Sequence, residues 1–331
     1  MTTRERLNAV FSFKEPDRLP VIEWASWWDT TIDCWRKEGL PATVKTSQDI
    51  AEYFDLDIHR QFWMPTLKAS CPKPGYHGAS LLDQQNHNGY EKLKPHIFPD
   101  GGMGPYKDAI MFWENRQRMD GIPIWLTLEG FFWFPRKIMG IESHLYNFYD
   151  EPDLMHRINN DMLAYNMSLL EGFCELCMPD FMTIAEDMSY NNGPMISKDL
   201  FDEFMAPYYR PLVKKIKDYG IKLLIDTDGA ISQLVPWYEE LGVTGFLPLE
   251  RQSGVDVSAL RKKHPGLMML GGFDKTVMHL GEAAMRYEFE RLLPVIKQKG
   301  FIPSCDHQTP PQVSLRDYKL YVTLLKEYCS I

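Results

Sequence analysis

Apolar and polar positions alternate with two different periods along most of the chain. From residue 105 onward, segments with apolar residues at helical spacing are each followed by a short apolar run of strand length. The predicted helices cover 105–119, 152–177, 198–218, 231–241, 256–263, 282–298 and 315–329. The predicted strands between them cover 122–128, 181–185, 221–225, 243–249, 267–270 and 301–303.

The first third of the chain is less regular. A helix is predicted over 2–12, and the prolines of 16–20 then lead into a short strand over 21–24. Short helices are predicted over 28–38 and 47–53. Residues 60–104 are rich in Gly, Pro and His and are predicted to form a long loop with hairpin character, although a further strand could lie within 55–70.

Strands that alternate with helices of this length indicate a parallel sheet with right-handed crossovers. No glycine-rich phosphate loop follows the first strand, which disfavours an open dinucleotide-binding sheet. The 331 residues are therefore predicted to form an α/β fold, a (β/α)₈ TIM-type barrel, as a single domain over 1–331.

Charge and composition narrow the classes of partner. A net charge of −9 argues against nucleic acid and anionic membranes, which require a basic surface. No apolar run is long enough to cross a bilayer, and the first residues resemble a helix and not a signal peptide, so we expect a cytoplasmic protein. The six scattered cysteines are typical of reduced thiols, and the pair at 174 and 177 is interpreted as helix packing.

Acidic side chains recur at the predicted carboxyl ends of the strands. These positions include Glu23, Glu129, Glu186, Asp187, Asp226, Asp228, Glu250, Asp274 and Asp306, with His307 beside the last. In barrel enzymes these ends converge on one mouth, where catalysis takes place. The structural alternative is that some of them cap turns, as in the Asp-Thr-Asp-Gly run at 226–229.

Carboxylates gathered at one opening repel one another unless they are protonated, paired or bound to a cation. Arg251 and Lys275 can neutralise their own sequence neighbours, but the other acids have no basic neighbour. We therefore expect a divalent metal, with zinc favoured by mixed oxygen and nitrogen ligands. The predicted metal ligands are Glu186, Asp226, Asp228 and His307, with Cys305 in reserve.

Aromatic residues cluster close to two of these strand ends. Adjacent bulky rings cannot all enter one core, so some should line the mouth and bind a flat, apolar substrate. The predicted substrate-binding residues are Trp24, Trp27, Trp28, Trp133 and Tyr190.

A set of ordered motifs resembles the uroporphyrinogen decarboxylase superfamily over nearly the whole chain. The motifs lie at 3–10, 16–20, 52–57, 186–188, 192–197, 226–229, 271–275 and 302–307, with the prolines at 310–311. The resemblance implies a (β/α)₈ barrel with its active site at the carboxyl ends of the strands.

Two branches of that superfamily differ in their motifs. The decarboxylase proper grips a polyacidic tetrapyrrole with an arginine-rich segment, whereas residues 23–29 here are acidic and aromatic without arginine. The cobamide-dependent methyltransferases bind zinc through His-x-Cys and a later Cys; the matching positions here are Asp226, Asp228 and His307. Oxygen and imidazole ligands leave a metal harder, which suits polarisation of an ether oxygen.

These observations lead to one functional hypothesis. The chain is expected to be a zinc-dependent, corrinoid-linked methyltransferase that demethylates a small methylated substrate, an aryl methyl ether. The methyl group would pass to cobalamin carried by a partner corrinoid protein, and Asp187 or Glu129 would protonate the leaving oxygen. Open alternatives are a thiol- or folate-side methyltransferase, a decarboxylase of another small acid, and a non-catalytic corrinoid- or tetrapyrrole-binding barrel. A homodimer is also left open.

Overall fold

The computed structural model describes residues 1–330. The strands are β1 (Arg60–Trp63), β2 (Ile124–Glu129), β3 (Phe181–Ala185), β4 (Ser189–Tyr190), β5 (Gly193–Pro194), β6 (Lys222–Asp226), β7 (Gly245–Leu247), β8 (Met268–Phe273) and β9 (Phe301–Cys305). The helices are α1 (Thr3–Phe11), α2 (Asp29–Lys37), α3 (Ser47–Tyr53), α4 (His87–Leu93), α5 (Lys107–Asp120), α6 (Trp133–Met139), α7 (Ile141–Asp150), α8 (Pro152–Leu176), α9 (Lys198–Phe204), α10 (Ala206–Asp218), α11 (Leu234–Leu241), α12 (Val257–Lys263), α13 (Glu282–Ile296) and α14 (Leu315–Cys329). Short 3₁₀ turns cover Lys94–His96, Gly104–Tyr106, Arg251–Ser253 and Lys275–Leu280.

Seven strands form one parallel sheet in the order β1-β2-β3-β6-β7-β8-β9, and β4 and β5 form a small antiparallel hairpin. Residues at or after the carboxyl ends of β1, β3, β6 and β9 line one cavity, although β1 and β9 are the two edges of the sheet. The sheet is therefore curled in the manner of a TIM barrel. The predicted alternation of helices and parallel strands is confirmed for the chain after residue 105.

The register brings strand ends to the same level. Ala185 at the end of β3 pairs with Asp226 at the end of β6, and Glu129 of β2 pairs with Ala185. At the other side, Phe273 of β8 pairs with Cys305 of β9. Because parallel strands share this alignment, the polar residues that follow them emerge at one rim.

The gap between the two edge strands is where the sequence prediction was wrong. Residues 21–24 are extended but form no strand, and within residues 1–330 no ladder of backbone hydrogen bonds joins β1 to β9. The segment nevertheless contacts both edges: the Asp57 amide, just before β1, donates to the Val21 carbonyl (2.8 Å). The strand predicted within 55–70 is β1.

Glu23 attaches this segment to the last strand. Its buried carboxylate accepts hydrogen bonds from the Cys305 amide (2.9 Å), the Ser304 hydroxyl and the Tyr318 hydroxyl (2.9 Å). Desolvation raises the pKa of this carboxyl, opposed by the three donors. Side-chain hydrogen bonds thus take the place of a strand ladder on this side of the gap.

Proline and glycine explain two other departures from the predicted elements. The helix predicted over 198–218 is two helices, because Pro207 lies in the first turn of α10 and cannot continue α9. Helices α6 and α7, which the sequence pattern did not predict, are separated by Gly140 with φ 82°. A side chain there would meet the Gly78 carbonyl at 2.8 Å.

All six cysteines are free thiols, as predicted. Within residues 1–330, no helix combines the length and the apolar character that crossing a bilayer would require.

Replacement of Glu23 tests whether its side-chain hydrogen bonds attach residues 21–24 to β9. Glu23→Ala would leave the Ser304, Tyr318 and Cys305 donors buried without an acceptor, and we expect a loss of roughly 2 kcal/mol in the free energy of unfolding. Urea denaturation followed by tryptophan fluorescence measures it. Glu23→Gln keeps one acceptor oxygen and should lose less than half as much; equal losses in both variants would contradict this account.

Candidate active site at the carboxyl ends of the strands

A cavity of about 310 Å³ opens at the carboxyl ends of the parallel strands. Its volume is at the small end of the range for ligand sites. Its walls combine an acidic group, three tryptophans and a few neutral polar side chains. The lining residues are Trp24, Ala25, Ser26, Gln61, Trp63, Trp133, Ala185, Asp187, Asp226, Thr227, Asp228, His307 and Gln308.

His307 and Asp228 form a pair across the cavity rim. His307 follows β9 and Asp228 follows β6, and Nε2 of the imidazole lies 3.3 Å from Oδ2 of the carboxylate. The hydrogen bond with Asp228 raises the pKa of His307, against a smaller opposing effect of desolvation. The next amide, that of Gly229, donates to Glu250 (3.1 Å), which fixes the turn that carries Asp228.

Asp226 is the acid with the most perturbed pKa among the residues of the cavity. It is the last residue of β6. Desolvation, together with the negative charges of Asp228 and Asp187, raises its pKa to about 8, opposed in part by His307. These effects favour the protonated form of Asp226 over the ionised form.

Asp187 has the one strong basic partner in the cavity wall. Nη1 of Arg136 donates both to the Asp187 carboxylate (2.9 Å) and to its carbonyl (2.7 Å). Desolvation still raises the pKa of Asp187 to about 6. The backbone of Asp187 has φ 41°, a left-handed conformation that is costly for a residue with a side chain and is concentrated at functional sites.

Three tryptophans supply the apolar walls. Trp24 donates through its indole N–H to the Cys305 carbonyl and lies edge-on to His307, with ring centroids 6.3 Å apart. Trp133 begins α6 and is covered on one side by the Arg136 guanidinium (5.4 Å to the ring centroid). Trp63 ends β1 and is half exposed at the mouth. A flat ring fits between such walls.

The structure gives Glu186 a different role from metal ligation. Its carboxylate accepts the amides of residues 131 (3.0 Å), 132 (2.8 Å) and 133 (3.0 Å), and also the Tyr209 hydroxyl. Desolvation raises its pKa to about 7. The oxygens are thus occupied in positioning the loop that carries Trp133. Gly130 is required there, because a Cβ would lie 2.2 Å from the Glu186 carboxyl carbon.

Glu129 and Cys305 also lie outside the cavity lining. Glu129 is buried and pairs with Lys137 (2.7 Å) and the Thr66 hydroxyl (2.7 Å), so it is not placed to protonate a leaving group in the cavity. Cys305 is fully buried, and desolvation raises the pKa of its thiol well above the usual value. Neither residue meets the role predicted for it.

Of the five aromatic residues predicted to bind substrate, two line the cavity and three do not. Trp24 and Trp133 line the cavity, whereas Trp27 is buried against Trp35 and Tyr318. Trp28 is exposed at the rim and donates to Gln308. Tyr190 is about half exposed on the β4–β5 hairpin.

Sequence reasoning missed two residues of the wall, Gln61 and Trp63, and also Arg136, which contacts the lining residues Asp187 and Trp133. The first two belong to β1, within the region predicted as a loop. Gln61 and Trp63 lie on the opposite face of the strand from Phe62, and this alternation was the signal that could have identified them. Arg136 belongs to α6, which was not predicted; it follows the aromatic run at 131–134.

A metal fits this set of side chains only in part. Asp228 and His307 are close enough to share an ion, and Asp226 and Asp187 face the same cavity. Within residues 1–330, however, no group of three or more His, Cys, Asp or Glu side chains is arranged to hold one.

The fold is similar to those of two solved structures. A methyltransferase from Methanosarcina mazei matches with TM-score 0.67 and 14% identity, covering 99% of each chain. A Listeria monocytogenes protein described as a candidate vitamin-B12-independent methionine synthase matches with TM-score 0.51 and 12% identity, covering 95% of this chain and 98% of that one. At such identities the likeness concerns the fold. No curated protein matches the chain in sequence.

A family comparison covers most of the chain. The profile described as uroporphyrinogen decarboxylase (URO-D) matches residues 83–328, about three quarters of the sequence. The matched region contains β2 to β9, all the acidic residues of the cavity and His307. The resemblance predicted from the motifs is confirmed, and the chain belongs to the uroporphyrinogen decarboxylase family.

Proposed function

We propose that the protein is a methyltransferase that removes the methyl group of a small aryl methyl ether and passes it to the cobalt of a separate corrinoid protein. The observation that carries the proposal is a small cavity walled by tryptophans, with Asp226, a carboxyl whose pKa is raised by its surroundings, in its lining. Breaking an aryl ether requires both a surface for the ring and a proton for the oxygen that leaves. The likeness in fold to a methyltransferase supports the same reaction class.

The reaction balances with the groups present and one acceptor. The electron pair of a reduced corrinoid acceptor forms the new bond to the methyl carbon, and the carbon–oxygen bond breaks with its electrons going to oxygen. Asp226 gives its proton to that oxygen, so that a phenol leaves in place of a phenoxide. His307, whose pKa is raised by its hydrogen bond with Asp228, lines the same cavity.

The aromatic residues position the ring for this step. Trp24, Trp63 and Trp133 lie on separate segments around the opening, so that a ring between them has its ether substituent directed at the acids. Arg136 keeps Asp187 in place and covers the outer face of Trp133. Because these contacts hold the ring before reaction, they act mainly on substrate binding.

A zinc ion is the second element of the proposal. Asp228 and His307 would hold it; Asp226 would join them as a ligand in place of acting as the acid, because a ligating carboxylate has lost its proton. A bound zinc would supply Lewis-acid polarisation of the ether oxygen. What supports it is the pair of Asp228 and His307, an oxygen and a nitrogen donor 3.3 Å apart at the rim of the cavity.

Uroporphyrinogen decarboxylation is disfavoured by the same cavity. A polyacidic tetrapyrrole would meet the carboxylates of Asp187 and Asp228 at the mouth, and like charges brought together there are unfavourable. The cavity of about 310 Å³ also suits a single ring better than four. A neutral methyl ether meets neither objection.

Methyl transfer from 2-methoxyphenol to cob(I)alamin tests the reaction directly. The wild-type protein should produce methylcobalamin, followed by its absorbance, together with catechol. Asp226→Asn should reduce kcat by about 10²–10⁴-fold with little change in ring binding, because the proton donor is lost and the walls remain. Asp274→Asn, an acid that follows β8 outside the cavity, is the matched control and should retain activity. Full activity of Asp226→Asn would refute the assignment.

The pH dependence of turnover should follow the proton of Asp226. Since the acid form is required and the pKa is raised to about 8, kcat should be constant near neutrality and fall as pH rises through about 8. A pH–rate profile between pH 6 and 9.5 measures it. A rate that instead rises across that range would show that ionised Asp226 is the active form.

Zinc binding should show the opposite trend with pH. Ligation needs Asp226 and His307 without their protons, so the affinity of the metal-free protein for zinc should increase between pH 6 and 8. Competition with a chromophoric chelator measures the affinity, and His307→Ala should lower it at least about tenfold. Methyl transfer by protein containing no zinc would remove the metal from the account and leave the acid.

A further inference from the structure

Gln61 is a cavity residue with an unused hydrogen-bonding atom. It lies on the inner face of β1 with Trp63, while Phe62 between them packs outward against Phe173 of α8 (5.4 Å between ring centroids). Its amide Nε2 donates to the Thr127 hydroxyl at 2.8 Å. Among residues 1–330, no group donates to its Oε1.

A buried chain of hydrogen bonds anchors this amide at the cavity wall. Trp125 donates through Nε1 to the Thr183 hydroxyl (2.8 Å), and Thr183 bonds Thr127 (2.8 Å). Both threonines are fully buried. Whichever hydroxyl donates in the Thr183–Thr127 bond, Thr127 keeps a lone pair for Gln61. In this structure Nε2 is the atom bonded to the wall, and Oε1 is left without a donor on a residue that lines the cavity.

Two other neutral polar residues of the cavity have no comparable free acceptor. Gln308 accepts from Trp28 and donates to Ser26 (3.1 Å), so both ends of its amide are engaged. The Thr227 hydroxyl accepts from the Met188 amide (3.0 Å) and donates to the Asp228 carbonyl (3.3 Å). Gln61 thus offers a fixed, uncharged acceptor that does not belong to the acidic group.

We infer that Gln61 selects aryl methyl ethers that carry a free ring hydroxyl, by accepting that hydroxyl's hydrogen bond at Oε1. This inference rests on the proposed function and names its substrate class. A phenolic O–H is a strong donor, and the acceptor is left without a partner when the hydroxyl is itself methylated. One neutral hydrogen bond corresponds to a discrimination of about tenfold.

The test compares 2-methoxyphenol with 1,2-dimethoxybenzene, which differ in that one hydroxyl. Dissociation constants from quenching of tryptophan fluorescence, and kcat/KM for methyl transfer, should both favour 2-methoxyphenol by about tenfold in the wild type. Gln61→Met keeps the length of the side chain without its amide, and should bring the two compounds within about twofold. Thr127→Val, which removes the anchor of the amide, should reduce the preference by a smaller factor.

Gln308→Met is the matched control, because it removes an engaged amide from the same cavity and should affect both compounds equally. A preference that persists in Gln61→Met, or that is absent in the wild type, overturns the inference. Because binding and turnover are measured separately, failure of the inference about Gln61 can be distinguished from failure of the proposed function. A hydroxyl preference in binding without any methyl transfer would refute the methyltransferase and retain Gln61 as the selecting residue.

Discussion

The constraint on which this site depends is the cost of placing several carboxylates at one partly desolvated opening. Parallel strands of a curled sheet end at a common rim, so every acid that follows a strand is brought toward the others. Each desolvated charge must gain a partner or a proton. The acids at the rim differ in how this cost is compensated.

Most of the rim acids are hydrogen-bonded or ion-paired to other groups of the fold, and several of them hold the segments that surround the cavity. Glu23 uses hydroxyls and an amide to close the gap beside β9, and Glu186 uses three amides to hold the loop of Trp133. Lys275 lies 3.7 Å from Glu250 and 3.5 Å from Asp306, and Lys137 pairs with Glu129. Asp226 has no such partner, and its pKa is raised to about 8. The residue that the scaffold leaves unpaired is the one to which we assign the chemistry.

The sequence predicted the parallel order of strands and helices, the rim of acids and the family, because apolar periodicity and ordered motifs are local signals. It placed Asp187, Asp226, Asp228, His307, Trp24 and Trp133 in one opening, and they do meet. It could not show which acids were already neutralised. Lys137 reaches Glu129 from eight residues away, and the amides at 131–133 reach Glu186 from more than fifty, so their pairing depends on the fold.

The expectation that one cation is held by Glu186, Asp226, Asp228 and His307 followed from the charges along the chain. In the folded protein Glu186 is occupied by backbone amides, Glu129, the predicted proton donor, pairs with Lys137, and Arg136 is a counter-charge to Asp187. Gln61 and Trp63 were missed for a related reason. A four-residue strand inside a region rich in Gly and Pro gives too short a period to fix its bounds and its inward face, although it supplies Gln61 and Trp63 to the cavity.

The central claim is that Asp226 retains its proton at neutral pH, and carboxyl NMR of protein labelled with ¹³C-aspartate measures it most directly. Spectra of the metal-free protein from pH 4 to 9.5, with Asp226→Asn to assign the signal, should show this carboxyl titrating near pH 8. An Asp226 carboxyl already ionised at pH 6 would contradict the account.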